Sequence, residues 1–249
     1  MPIAIMAAMP EEIDALKPFI QSARLTKRAG REFFHGDLFG METVIVFSRW
    51  GKVASASTAT ELINSFNVSS IVLIGIAGSV SELRIGDMVV ATDCVQHDLD
   101  PRPFFPVTQI PMLGISSLPT DGLLRDSLFQ ACQNASLESN EWLEDSLRGS
   151  TEIARPGVEV GRMATGDQVV STAQQRAQVL ERAPGSLCVD MESAAVAQVA
   201  HEHGVSFGCV RIISDRADEA VPNTVVPFLG GLASAYTIAI VRRWLTSNI

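Results

Sequence analysis

Basic residues are in short supply: 19 Lys and Arg stand against 28 Asp and Glu, a formal net charge of −9 over 249 residues. DNA and RNA are held through clustered cations that displace counterions from phosphate, so this balance argues against nucleic acid as a partner. Cysteine is sparse as well. Cys94, Cys132, Cys188 and Cys209 form no C-x-x-C pair and have no metal-type histidine spacing nearby, which argues against a disulfide framework and reads as reduced, buried thiols of a cytoplasmic protein. His35, His97, His201 and His203 are scattered, with His201 and His203 expected on the surface, and the residues imply neither a metal site nor a cofactor. The opening MPIAIMAAMPEEIDALKPF lacks a basic segment followed by a long apolar one, and reads as a short strand entering a helix rather than a signal peptide. Long apolar runs are missing too. Residues 220–241 carry no charge, but Pro222, Asn223, Pro227 and the pair Gly230-Gly231 interrupt them. The stretch therefore reads as a terminal helix packed inside the domain, closed by Arg242 and Arg243 where cations suit a helix C-terminus, and not as a membrane span.

What is present is a hydrophobic content of 47%, enough to bury a sizeable core in one domain spanning residues 1–249. Apolar, β-branched runs at 3–8, 43–48, 70–76, 88–92 and 207–214 read as strands. Helical spacing appears at 53–66, 121–134, 172–182 and 191–203. Strands alternating with helices predict an α/β sheet covered by helices. Residues 97–120, with five prolines and the pair Phe104-Phe105, break the pattern and read as a long ordered loop of the kind that forms lids. Residues 137–157 are polar, with Trp142 the main apolar exception, and read as a surface excursion.

Acidic residues recur at strand-to-helix junctions: Glu11 and Glu12, Asp190 and Glu192, Asp215 and Asp218. Taken singly, each is explained by helix capping and the helix dipole. Together they sit where an α/β sheet gathers its ligands, at the carboxyl ends of strands, and three distant segments are expected to meet in one pocket.

Six stretches in order carry a family likeness: IAIMAAMPEEIDAL at 3–16, WGKVASASTATELI at 50–63, IGIAGSVSELRIGDMVV at 74–90, TGDQVV at 165–170, VDMESAAVAQVA at 189–200 and VRIISDRAD at 210–218. On these residues the chain resembles the purine/uridine phosphorylase superfamily over nearly its full length. Within it, the likeness is to the hydrolytic branch, the 5′-methylthioadenosine/S-adenosylhomocysteine nucleosidases. The resemblance implies a single domain with a central mixed, twisted β-sheet flanked by α-helices, a small nucleoside substrate, and a homodimer. It makes Asp215 the acid that protonates adenine N7, with Ser214 holding its side chain, and Glu12 the base that activates water. Glu192 would accept bonds from ribose hydroxyls, Met191 would pack on the sugar, and Arg211 would organise the water and the carboxylates. Met9, Ile76, Trp50, Val169, Val170 and Phe104 complete the expected substrate contacts, Val170 through its backbone and Phe104 as part of a lid. Pro111 and Met112 are placed at the subunit interface.

The residue types suit such chemistry independently of the likeness. Cleaving a ribosyl C–N bond leaves an electron-rich purine and a cationic sugar, so an acid is needed at the base and negative charge at the sugar. A second carboxylate must take the proton of the attacking water. Three departures bear on substrate: Ile76 replaces a small hydroxyl residue, Trp50 replaces a smaller aliphatic residue at the 5′ pocket, and Val169 replaces a base-stacking aromatic. They leave open a related nucleosidase, acting for example on aminofutalosine, and a phosphate-dependent phosphorylase in which Arg49 faces an oxyanion. A nucleoside-binding protein without turnover is the non-enzymatic alternative.

Overall fold

Near-continuous burial of the apolar runs, on both faces of the strands they form, builds the centre of the molecule. In the computed structural model, which describes residues 1–143, 155–218, 221–229 and 231–247, ten strands are joined in one mixed sheet. They are β1 (Ile3–Ala7), β2 (Ile20–Arg28), β3 (Arg31–Leu38), β4 (Met41–Phe47), β5 (Ser70–Ser79), β6 (Met88–Gln96), β7 (Leu118–Pro119), β8 (Val158–Thr165), β9 (Ser186–Asp190) and β10 (Ser206–Asp215). The helices among the described residues are α1 (Pro10–Ile13), α2 (Lys52–Phe66), α3 (Gly122–Leu137), α4 (Ser139–Trp142), α5 (Ala173–Arg182), α6 (Ser193–His203), α7 (Val221–Leu229) and α8 (Leu232–Thr246).

Period-two patterning sends successive residues of β1 to opposite faces. Ile5 joins Ile45, Val72 and the α8 residues Tyr236, Ile240 and Trp244, whereas Ala4 and Met6 join Val44, Leu73 and the α2 residues Ala59 and Leu62. Local chemistry sets the helix ends. Asp121 accepts the Leu124 N–H at the start of α3, Thr172 accepts the Gln175 N–H at the start of α5, and Gly204 closes α6 at φ +66°.

One feature of the sheet positions the site. Strand β5 is flanked along one edge by β10, in parallel register from Ser70–Ser206 to Gly78–Asp215. Along its other edge it changes neighbour: parallel β1 pairs with Ser70 to Leu73, and antiparallel β9 pairs only with Gly78 and Ser79. Strands β10, β6, β8 and β9 then lead back to β5, so this half of the sheet closes into a ring.

Several expectations need revision. Strands β2 and β3 escape a reading based on apolar runs because β2 is exposed along most of its length. In β8, Gly161 and Arg162 interrupt the pattern. The 220–241 stretch holds two helices, α7 and the start of α8, instead of one. Among the described residues no helix is long and apolar enough to cross a membrane. Trp142 is not a stray apolar residue on a polar excursion. Its indole donates to the Ala135 carbonyl at 2.8 Å and meets Tyr236 edge-on, with ring centroids 4.8 Å apart. The rest of that polar stretch, 144–154, lies outside the described residues. His201 and His203 are exposed, and the four cysteines are buried and unbridged, as expected.

Gly208 of β10 lies directly beneath α3: a Cβ there would stand 2.7 Å from Leu128 Cδ1 and 2.9 Å from Leu124 Cγ. Gly208→Ala is expected to lower the unfolding free energy by about 1–3 kcal/mol through overpacking, read from urea denaturation.

Candidate active site

The handover from β1 to β9 leaves β5 without a strand partner on one edge between Leu73 and Gly78, and a pocket opens there. Its wall comes from the ends of β1, β5, β9 and β10, with residues 168–170 and α7 on the open side. Such a break in strand pairing is where α/β sheets bind ligands.

Glu12 enters from the first turn of α1 and is 1% exposed. Its Oε2 accepts the N–H groups of Ala8 at 2.9 Å and Met9 at 2.8 Å. Its Oε1 accepts the N–H of Ile76 at 2.9 Å, a donor that the gap in β5 pairing sets free. Glycine at position 75 makes room for this: a Cβ would lie 2.3 Å from Glu12 Oε1 and 2.6 Å from Arg211 Nη1. Burial pushes the Glu12 carboxyl above its ordinary range, against the pull of Arg211 and the three backbone donors.

Glu192 arrives at the end of β9. Its Oε1 accepts the Gly51 N–H at 3.0 Å, and its Oε2 accepts from Arg211 Nη2 at 3.1 Å. Burial raises this carboxyl to about 7, opposed by Arg211 and assisted by the negative charges of Asp190 and Glu12. Asp215 ends β10. Ser214 Oγ donates to its Oδ2 at 2.8 Å and the Ala217 N–H to its Oδ1 at 2.8 Å, while burial holds the carboxyl above its usual value, with Asp218 adding to the rise. A Cβ on Gly78 would come within 2.8 Å of Asp215 Oδ1, so the approach of β5 to this acid also depends on glycine.

Behind the carboxylates lies Arg211, fully buried. It donates through Nε to Asp190 Oδ2 at 2.7 Å as well as to Glu192. Burial by itself would lower its pKa, but Asp190, Glu192 and Glu12 hold it well above the ordinary value. Asp190 is fixed in turn by Thr165 Oγ1 at 2.6 Å, by Ser193 Oγ and by the backbone N–H of Ser193.

Of the side chains expected from sequence, Glu12, Glu192, Asp215, Met191, Ser214, Met9, Ile76, Trp50, Val169 and Val170 line the one pocket. Two do not. Arg211 lies beneath the wall and acts through the carboxylates it holds, because β10 points it into the core. Phe104 is 85% exposed and, like Met112 at 93%, stands clear of the pocket within the single chain. Reading the sequence also missed Gln168, Gly78, and Val221 and Val225 of α7 as wall residues. The two valines lie in the apolar 220–241 stretch, where nothing local marks a pocket wall. The position of Asp190 was visible, but not its role as the anchor of Arg211.

The sequence profile of the phosphorylase superfamily matches residues 2–242. The chain belongs to that superfamily. A 5′-methylthioadenosine/S-adenosylhomocysteine nucleosidase of Chromohalobacter salexigens is 31% identical over 217 residues, covering 86% of this chain and 84% of that protein. The protein of the same name from Bacillus thuringiensis subsp. konkukian is 30% identical over 244 residues, 97% of each chain. Among solved structures, an S-adenosylhomocysteine nucleosidase of Streptococcus pyogenes, in complex with 5-methylthiotubericidin, superposes with a TM-score of 0.85 at 29% identity, covering 99% of this chain and 97% of that one. Superfamily membership agrees with the closed half of the sheet and with a pocket at the carboxyl ends of its strands.

Removing the buried cation tests the architecture. Arg211→Met is expected to cost about 3–5 kcal/mol, because two buried carboxylates lose their counter-charge. The loss should be smaller near pH 5 than near pH 8, since Glu192 without its cation keeps its proton in the acid range and must ionise unpaired above it. Chemical denaturation at the two pH values reads both effects.

Proposed function

We propose that the chain is an N-ribosyl hydrolase that releases adenine from 5′-methylthioadenosine and S-adenosylhomocysteine. One observation carries the reading: Glu12, Glu192 and Asp215, far apart in sequence, line the same pocket. Asp215 is the acid. Its raised pKa keeps a proton available for adenine N7 as the bond to the sugar breaks, and Ser214 holds the side chain in place. Glu12 is the base that takes a proton from the attacking water. Glu192 binds the ribose hydroxyls and supplies negative charge to the cationic sugar, and Met191 packs against the sugar. Arg211 is a positioning residue that fixes Glu192 directly and the Asp190 turn beneath it. The purine rests against Val169, with Val170 offering its backbone to the adenine edge, while Ile76 stands where a small hydroxyl residue would face the sugar or the water.

Hydrolysis is favoured over phosphorolysis by the charge of the wall. Among the described residues that line the pocket there is no Lys or Arg to hold a phosphate dianion. Arg49, the candidate for that task, does not line the pocket; its Nη2 donates to the Gly30 carbonyl at 2.7 Å. The proposal extends to a cytoplasmic location, supported by four buried unbridged thiols, and to a homodimer. Exposed Phe104 and Met112 on the 97–120 loop are the surface a second copy would cover.

Chromatography of the nucleosides in phosphate-free buffer is expected to show adenine and the free ribose that keeps its 5-alkylthio group, with no sugar phosphate when phosphate is added. Asp215→Asn should lower kcat by about 10²–10⁴ while leaving the melting temperature nearly unchanged, because Asn keeps the acceptor for Ala217 and loses a desolvated charge. Absence of adenine release by the wild-type protein would refute the assignment. In the wild type, kcat/KM should follow a bell, since turnover needs Asp215 protonated and Glu12 ionised, with both limbs set above ordinary carboxylate values because burial raises both groups. Light scattering should give twice the chain mass, and Phe104→Asp should shift the population toward monomer.

A further inference from the structure

Two stretches of the pocket wall, Trp50 and residues 168–170, come from distant parts of the chain, and both lie outside regular secondary structure. Trp50 precedes α2 and also bounds a second cavity over the first turn of that helix, together with Gly51, Asp167 and Arg31. Residues 168–170 follow the end of β8 at Thr165. A strand ladder no longer holds either stretch, so their spacing depends on other bonds. Those bonds come from three residues that do not line the nucleoside pocket: Lys52, Asp98 and Asp167.

The three form a closed ring. Strands β6 and β8 run in parallel as far as the pair Gln96–Thr165, and the His97 N–H adds one more bond to the Thr165 carbonyl at 3.0 Å. There the ladder stops and the Asp98 carboxylate takes its place, its Oδ2 accepting the Asp167 N–H at 2.9 Å. The Asp167 carboxylate in turn accepts the Lys52 N–H at 2.8 Å, capping a helix whose preceding residue, Gly51, has no side chain to do so. Lys52 Nζ closes the ring on Asp98 Oδ1 at 2.7 Å, with Gln96 Oε1 as a second acceptor at 3.2 Å. Gly51 permits the approach: its backbone stands at φ +94°, and a Cβ there would lie 3.0 Å from Asp167 Oδ1. Gln96 donates onward to Gln198 of α6 at 2.8 Å, which ties the ring to the body of the fold. Burial by itself would raise the Asp98 carboxyl, but Lys52 and the Asp167 N–H outweigh it and hold the group below its ordinary range.

Both ends of the ring lead to groups that meet the substrate. Next to Lys52, the Gly51 N–H donates to Glu192 Oε1 at 3.0 Å, and next to Asp167 the chain enters the wall at Gln168, Val169 and Val170. We infer that Lys52 and Asp98 are positioning residues whose ion pair, acting through Asp167, sets the spacing between the turn that holds Glu192 and the segment that meets the purine. This rests on the hydrolase reading. With the pair intact, ribose and adenine find their partners already at one fixed separation, and binding spends nothing on ordering them. Without it, Asp215 keeps Ser214 and Ala217, and Glu12 keeps Ala8, Met9 and Ile76. Binding then suffers while the chemistry of a bound molecule is preserved.

Methylthioadenosine hydrolysis in Asp98→Asn, Lys52→Met and the double variant tests the pair. Each single substitution should raise KM about tenfold, as loss of one charge-assisted bond does, and change kcat by less than about threefold. In the double variant KM should stay within about threefold of either single one, because the two residues act as a unit. A merely structural defect would lower the melting temperature and the active fraction, hence the apparent kcat, and leave KM at the wild-type value. KM unchanged in both single variants, a loss confined to kcat, or a double variant whose KM rises by the product of the single effects, overturns the inference. Should the wild type turn over no nucleoside, the hydrolase reading fails, and amide hydrogen exchange of the free protein decides the pair. Exchange at the Gly51 and Asp167 N–H should then be at least about tenfold faster in Lys52→Met, with the Ile76 N–H at its wild-type rate. Wild-type rates at all three amides, or equal acceleration at all three, overturn it.

Discussion

A single guanidinium with no access to water is what lets three acids share one small volume. Arg211 lies between Asp190 and Glu192 and acts on Glu12 through space, neutralising charge that would otherwise be desolvated at great cost. The balance is incomplete by design of the fold. Glu12 and Glu192 stay above their ordinary ranges despite the cation, because burial outweighs its pull. Asp215 is out of its reach, shifted upward by burial and by Asp218, and steadied by Ser214 and Ala217. The site thus separates its acids into those tied to a cation and one left free of it, which is the division that the proposed hydrolysis, protonating a leaving group while stabilising a cation, requires.

The sheet explains why this happens at β5. A strand that exchanges one neighbour for another must leave a few backbone groups unpaired, and here one of them, the Ile76 N–H, is used to hold Glu12. Gly75 and Gly78 are the steric counterpart. Each occupies a point where a methyl group would collide with a carboxylate, so the acids approach the strand's backbone itself. Even the first turn of α2 is drawn in, since Gly51 donates to Glu192 and Lys52 is capped by Asp167.

Trp50 links this centre to the surface. It is a wall of both cavities, and among the described residues the guanidinium groups of Arg31 and Arg49 donate to backbone carbonyls. Phosphate chemistry finds no support in the same cations, because they stand outside the wall that the sugar would touch.

Much of this was legible in the amino-acid sequence. Alternating apolar strands and helices implied an α/β sheet, since side-chain periodicity is a local property that burial imposes directly. Acids at three strand-to-helix junctions, together with the family likeness, implied where a site would form. Polar strands β2 and β3 were not legible, because edge strands bury too little to leave a pattern. Folding in three dimensions alone decided the rest: that β1 gives way to β9 beside β5, that Arg211 lies beneath the pocket and not in it, that Phe104 points away from its own site, and that Trp50 joins two cavities. Each of these depends on which distant segments become neighbours, and long-range pairing is set by the packing of the whole sheet rather than by any stretch of chain.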